Sequence, residues 1–292
     1  MEVCVQMVPL FSGSSGNAVF IQFGETRFLV DAGVSCKRIS NALYSIGQDP
    51  RKLSAVFITH DHGDHIQGLD VFIRKYGVPV YATSNTWRGI RSSEKKPHDS
   101  YLDHTFLPDD SFFCENVEVL PFSTPHDTAG SVGYRFRGES FSMSVVTDLG
   151  SVTDGIIEGI KGSDAILIEA NYNREMLWNG PYPWPLKKRV DSPSGHLCNT
   201  DCAKAMERLI KEGTRHFILA HLSAENNSPS IVRTEIEDFL GGSALYSDDH
   251  YFLSIANRAE PTDPVVLSPG DMSVAGVQLE WFSLLDTSGG AI

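Results

Sequence analysis

The chain has 292 residues, 41% hydrophobic and 21% charged, a balance that excludes a disordered tail, a collagen and a disulfide miniprotein. Its 24 basic and 37 acidic side chains leave a net charge of −13, which argues against a non-specific nucleic-acid coat; seven of the acids, against one base, fall in residues 245–292. No run approaches the ~18 apolar residues of a membrane span. Residues 1–10 carry Glu2 and no basic stretch of a signal peptide. Five cysteines fit a reducing, cytoplasmic setting better than a disulfide framework.

In chain order, residues 3–10 form an apolar strand broken by Ser12-Gly13-Ser14-Ser15-Gly16-Asn17. Residues 18–22 and 27–31 are β-rich runs around a turn at Gly24-Glu25. Ile39, Leu43 and Ile46 mark a helix over 37–46, stopped by Gly47. A buried strand follows over 53–59, a helix over 66–76 closed by Gly77, and a strand over 78–82. Further strands are predicted at 117–122, 131–136, 140–147, 165–169 and 217–220. Helices are predicted at 200–212, with Thr200 as N-cap, and at 231–240 before Gly241-Gly242. A stretch with Pro and Ser, 260–270, sets off a last element at 274–285. This order predicts an α/β chain of stacked sheets with helices outside. Residues 1–258 are expected to form one domain, and 259–292 an acidic extension packed on it.

The strongest chemical signal is Thr59-His60-Asp61-His62-Gly63-Asp64-His65, directly after an apolar strand. His60 and His62 alternate and can point one way to hold one metal. Asp64 and His65 can turn to a second. Imidazole and carboxylate together suit zinc, manganese or iron. Three more metal-type residues end apolar runs: His126 after 117–122, Asp148 after 140–147 and His221 after 217–220. Four strand ends presenting such residues in one chain point to a shared site.

This set, His60-x-His62-x-Asp64-His65 with His126, Asp148 and His221, resembles the metallo-β-lactamase fold over roughly the first 250 residues. Gly13-Ser14-Ser15-Gly16-Asn17, Gly180-Pro181-Tyr182-Pro183-Trp184-Pro185-Leu186-Lys187, Gly195-His196-Leu197 and His221-Leu222-Ser223-x-Glu225-Asn226-Asn227 are similar to the YycJ/WalJ group of that superfamily, bacterial proteins regarded as DNA exonucleases. The chain departs from the group at Cys198, where Ser is usual, and at Asn173, where Asp is frequent.

The resemblance implies a four-layer αββα sandwich and two divalent cations, with His60, His62 and His126 on the first, Asp64, His65 and His221 on the second, and Asp148 bridging. A shared water would then supply hydroxide at neutral pH, for a DNA exonuclease of 5′ polarity. Asp64 and His196 are the catalytic candidates. In related phosphodiesterases a histidine in the region of His196 reaches the scissile phosphate, as acid or as oxygen ligand; a histidine capping the next helix is the simpler alternative.

Trp184 with Lys187, Lys188 and Arg189 offers base stacking and phosphate contacts, or else a proline-fixed lid with a solvated basic end. The turn at 12–17 can cradle a phosphate or be a plain turn. The same metal motif also serves small-molecule hydrolases: thioesterases, lactonases and cyclic phosphodiesterases. Flavodiiron proteins carry Glu where this chain has His62, which disfavours a redox role. A non-catalytic scaffold is expected to lose ligands, and none is lost here.

Overall fold

The computed structural model describes residues 4–92 and 102–268. The first sheet holds seven strands: β1 (Val5–Phe11), β2 (Ala18–Phe23), β3 (Thr26–Val30), β4 (Ala55–Phe57), β5 (Val80–Thr83), β6 (Asp103–Phe106) and, at its other edge, β14 (Val265–Leu267). The second also holds seven: β7 (Phe112–Cys114), β8 (Val117–Ser123), β9 (Val132–Arg137), β10 (Ser142–Val146), β11 (Ala165–Glu169), β12 (His216–Ala220) and β13 (Phe252–Ile255). Strands β3 to β6 are parallel to one another, as are β10 to β13.

Three buried clusters define four layers. Alternate strand residues such as Ile21, Phe28, Phe57, Tyr134, Phe136 and Leu167 meet between the sheets. Their neighbours face outward. Phe20, Leu29 and Val56 pack under α1 (Cys36–Ser45), α3 (Leu69–Tyr76) and α4 (Ser84–Ser92) through Leu43, Phe72 and Trp87. Val146, Ile168 and Phe217 pack under α5 (Asp154–Ile160), α8 (Asn199–Lys211) and α9 (Pro229–Gly242) through Ile156, Met206 and Ile236. Burial on both faces is why these strands read as unbroken apolar runs. The arrangement is the expected αββα sandwich.

Two local expectations are corrected. The helix expected over 66–76 is two pieces, α2 (Gly63–Ile66) and α3, parted at Gly68. Gly68 lies against the chain at Val34, where a Cβ would stand 2.1 Å from Val34 O, and its N–H donates to Ala32 O at 2.8 Å. That contact pins the break and lets the short α2 carry His65 into the sheet edge. Thr200 is not an N-cap: α8 begins one residue earlier behind Cys198, and Thr200 Oγ1 donates to Glu235 Oε1 at 2.7 Å. Cys198 supplies no side-chain cap there, and its Sγ donates to Asp201 Oδ2 instead. Asn173 caps α6 (Arg174–Asn179) and donates from Nδ2 to Glu235 Oε2 at 2.9 Å, a bond that an aspartate could not donate.

Strand β14 pairs antiparallel with β1, Val5 opposite Leu267, so residues 265–267 lie at the edge of the first sheet. The element expected at 274–285 falls outside the described residues. Among the described residues no helix is long and apolar enough to cross a membrane.

Gly33 wedges the first sheet against the metal-type motif. Its N–H donates to Asn17 O, and Asn17 N donates to Asp64 O, both at 2.8 Å. A Cβ on Gly33 would stand 1.7 Å from Asp64 O, whereas one on Gly63 meets nothing within 4 Å. Gly33→Ala should therefore cost roughly 3 kcal/mol or more in denaturant unfolding, while Gly63→Ala should leave the midpoint nearly unmoved. Equal midpoints for the two variants would refute the wedge.

Candidate metal centre

One edge of the sandwich collects the polar residues that end the strands. His60 follows β4, His126 follows β8, Asp148 follows β10, and His221 follows β12. Val132 N donates to Thr59 O at 3.1 Å and Tyr134 Oη to Ile58 O at 2.6 Å, which ties the two sheets together beneath this edge. Asp148 and His221 hold left-handed backbone, φ 59° and 57°, unusual for residues with a side chain. Such strain persists where the surroundings over-determine it, typically at functional sites.

The side chains form two groups. Ligand atoms of His60, His62 and His126 lie within 4.8 Å of one another, as do those of Asp64, His65 and His221. Asp148 stands between them, with Oδ1 3.8 Å from His126 Nε2 and Oδ2 3.2 Å from His65 Nε2. The buried atoms His60 Nε2, His221 Nε2 and Asp148 Oδ2 have no hydrogen-bond partner. Unsatisfied buried nitrogens and carboxylate oxygens facing one centre fit divalent cations, which such donors bind.

Residues around the cluster fix the rings, and the sequence reading had not singled out most of them. Asp31, at the end of β3 with φ 64°, accepts from Thr59 N at 2.8 Å and from His65 Nδ1 at 2.7 Å. Glu169, the last residue of β11, takes His221 Nδ1 at 2.7 Å and His196 Nδ1 at 2.9 Å on one oxygen. Its other oxygen accepts Leu149 N and Leu197 N. Both carboxylates end apolar strands, the same signal that marked Asp148, so the pattern was available in the sequence. The turn at 12–17 braces the site: Ser12 Oγ accepts His221 N at 2.8 Å, and Asn17 Nδ2 lies 3.0 Å from His65 Nε2. His196 does not cap α8, which is the alternative reading corrected. Its ring stands 5.4 Å from that of His126 and 5.2 Å from that of His221.

The basic-aromatic stretch is the hairpin of α6 and α7 (Trp184–Val190). Tyr182 and Leu186 pack on Tyr172, Leu177, Val190 and Cys198. Trp178 Nε1 donates to Asp191 Oδ2 and Lys187 Nζ to Trp178 O, both internal contacts. Arg189 Nε reaches Asp127 Oδ2 at 2.6 Å. Trp184 is 60% exposed, and Lys188 Nζ lies 5.3 Å over its ring.

Fold and site together define a metallo-β-lactamase-type protein, and residues 26–222 match the beta-lactamase superfamily domain, so the chain belongs to that superfamily. It is 39% identical over 237 residues to the exodeoxyribonuclease WalJ of Streptococcus pneumoniae, covering 81% of this chain and 88% of that protein. It is 37% identical over 232 residues to the exodeoxyribonuclease YycJ of Bacillus anthracis, covering 79% and 87%. The metallo-beta-lactamase fold protein YhfI from Bacillus subtilis superimposes with a TM-score of 0.66 at 18% identity, over 88% of this chain and 99% of that one, a likeness of fold.

Protons and cations compete for this cluster. Burial opposes a charge on His221, yet Asp148, Asp64 and Glu169 outweigh it and lift its pKa to about 10. Burial likewise opposes His65, but Asp31 and Asp148 hold it well above the usual imidazole range. In the other group, burial and then the charge of His65 push His60 well down, and burial lowers His126. A bound cation must displace the inward proton of His221, whereas burial already disfavours a proton on His60 and His126. Loading with a divalent cation such as zinc should therefore release protons, chiefly from the group of Asp64, His65 and His221. That site should weaken as pH falls anywhere below about 10, whereas His60 and His126 should add proton competition only below the ordinary imidazole range. Calorimetry in two buffers of different ionisation enthalpy reads this directly; no buffer dependence would refute it.

Proposed function

We propose that the chain is a dinuclear metal-dependent phosphodiesterase that digests DNA from an end, with 5′ polarity. Residues 1–258 are its catalytic domain, followed by an acidic extension, 259–292. The observation that carries the reading is the meeting of two ligand groups at Asp148. His60, His62 and His126 would hold one divalent cation and Asp64, His65 and His221 the other, with Asp148 available to both. Zinc, manganese and iron all suit these donors. When bound, the cations supply Lewis acidity toward a phosphodiester and acidify a water. The DNA substrate rests on the relatives, named exodeoxyribonucleases and sharing 37–39% of residues over most of the chain. Five free cysteines accord with work in a reducing cytoplasm.

The chain's own residues complete the chemistry. Asp64 is one catalytic candidate: burial raises its pKa, but His221 and His65 bring it below the usual value, so it stays ionised beside the cluster. His196 is 23% exposed, and Glu169 occupies its Nδ1. Burial opposes its charge, but Glu169 raises its pKa, which favours the protonated ring near neutrality. That ring can donate to a leaving oxygen or hold a non-bridging one. Trp184 and Lys188 offer a stacking face and a cation to the substrate strand. Lys187 can reach a phosphate by leaving Trp178 O, whereas Arg189 is engaged by Asp127.

The deciding assay incubates the zinc- or manganese-loaded protein with end-labelled single- and double-stranded DNA. A thioester and a chromogenic phosphodiester run in parallel. Progressive loss from the 5′ end is expected; thioester turnover with intact DNA would favour the small-molecule hydrolase reading.

His196→Ala should keep its metal content and thermal stability while kcat on DNA falls by roughly 10²–10⁴. A substrate with a nitrophenolate leaving group should lose less if His196 is the acid, and as much if it binds a non-bridging oxygen. Unchanged kcat on DNA would remove it from the chemistry. Lys188→Ser should raise KM for DNA and lower the log–log salt slope by about 0.7 for single strands, and Trp184→Ala should raise KM without changing that slope. Neither should affect the chromogenic substrate, and an unaltered KM in both would make this stretch a solvated face.

A further inference from the structure

Five histidines of the cluster are ligand candidates, and four of them are steadied in the same manner. Nδ1 of His60 meets Thr59 Oγ1 at 3.0 Å, and Nδ1 of His65 donates to Asp31 at 2.7 Å. Nδ1 of His126 donates to Gly195 O at 3.1 Å, and Nδ1 of His221 to Glu169 at 2.7 Å. All four therefore turn Nε2 inward. His62 is reversed: its Nδ1 is the inward atom, 3.3 Å from His126 Nε2, and its Nε2 lies 3.5 Å from Asp127 Oδ1. At 3.5 Å the contact is electrostatic and longer than a full hydrogen bond. His62 is also the most exposed of the five, with a side chain 33% accessible against 2% or less for His65, His126 and His221. It has the least packing to hold its ring, so an outer partner matters most there.

Asp127 is in turn held from outside. Its Oδ2 accepts Arg189 Nε at 2.6 Å, and Arg189 sits near the end of α7. Asp127 Oδ1 also lies 3.5 Å from His126 Nε2, so one oxygen borders two rings of the first group. We propose that Asp127 and Arg189 are positioning residues of the first metal site: Asp127 orients His62 so that Nδ1 faces His60 and His126, and Arg189 holds Asp127 in place. The α6–α7 hairpin is thereby fastened to the metal centre, and Arg189 serves Asp127 rather than a phosphate. Outer partners of this kind fix which nitrogen a histidine presents and strengthen it as a ligand. The inference rests on the metal-centre reading above.

The test is zinc affinity, read for each site by competition with a chromophoric chelator, in the wild type, Asp127→Ala, Asp127→Asn, Arg189→Gln and the Asp127→Ala/Arg189→Gln double variant. Asp127→Ala should weaken the first site roughly 10–100-fold and leave the second unchanged. Asp127→Asn, which keeps shape and an acceptor, should fall between, and serves in place of Asp127→Ala if that variant fails to fold. Arg189→Gln should weaken the same site by less. The double variant should match Asp127→Ala alone, because Arg189 acts through Asp127. Unchanged first-site affinity in both Asp127 variants overturns the proposal. So does an Arg189→Gln variant with wild-type zinc affinity and a flattened salt dependence of DNA binding, which would make Arg189 a phosphate contact. A wild type that binds no zinc would overturn the metal reading itself, and this inference with it.

Discussion

Asp148 is a carboxylate buried between two groups of histidines, and the arrangement of this end of the molecule follows from what it takes to keep it there. A buried ion costs several kcal/mol unless it is paired and hydrogen-bonded. Here the compensation comes from His65 and His221, whose positive charges hold the Asp148 carboxyl well below its ordinary range against the effect of burial. Those imidazoles are themselves supported by Asp31 and Glu169, so the charge is balanced through a second ring of carboxylates.

Such a network is possible only where several strands end together. Parallel runs in each sheet bring the carboxyl ends of β3, β4, β10, β11 and β12 to one edge, and each end delivers a polar side chain at the point where the apolar layers stop. The three left-handed residues Asp31, Asp148 and His221 turn the chain sharply there, so that side chains point across the edge. The apolar core behind them, with Phe57, Tyr134 and Phe136 in ring contact, gives the rigidity that holds ligand atoms within fractions of an ångström.

Metal chemistry and substrate choice are carried by different parts of the chain. The cluster and its carboxylates belong to the strand ends of the sandwich. The α6–α7 hairpin, with its exposed Trp184, and His196 lie on the rim beside the cluster. The contact of Arg189 with Asp127 joins these two parts across 62 positions of sequence.

The sequence by itself determined the first layer of the site and the class of fold. His60, His62, Asp64 and His65 sit within six residues, so their convergence is local and follows from a strand and a turn. His126, Asp148 and His221 were legible because an apolar run ending in a metal-type residue has one common meaning when it recurs. Asp31 and Glu169 bear the same mark, but alone each is an ordinary strand end, and their roles arise from contacts 34 and 52 positions away. The break at Gly68, the start of α8 behind Cys198, and the engagement of Lys187 and Arg189 also had to wait for tertiary structure. Periodicity and composition describe neighbours along the chain, whereas a backbone packed against Val34 or a carboxylate waiting for a guanidinium exists only once distant segments are brought together.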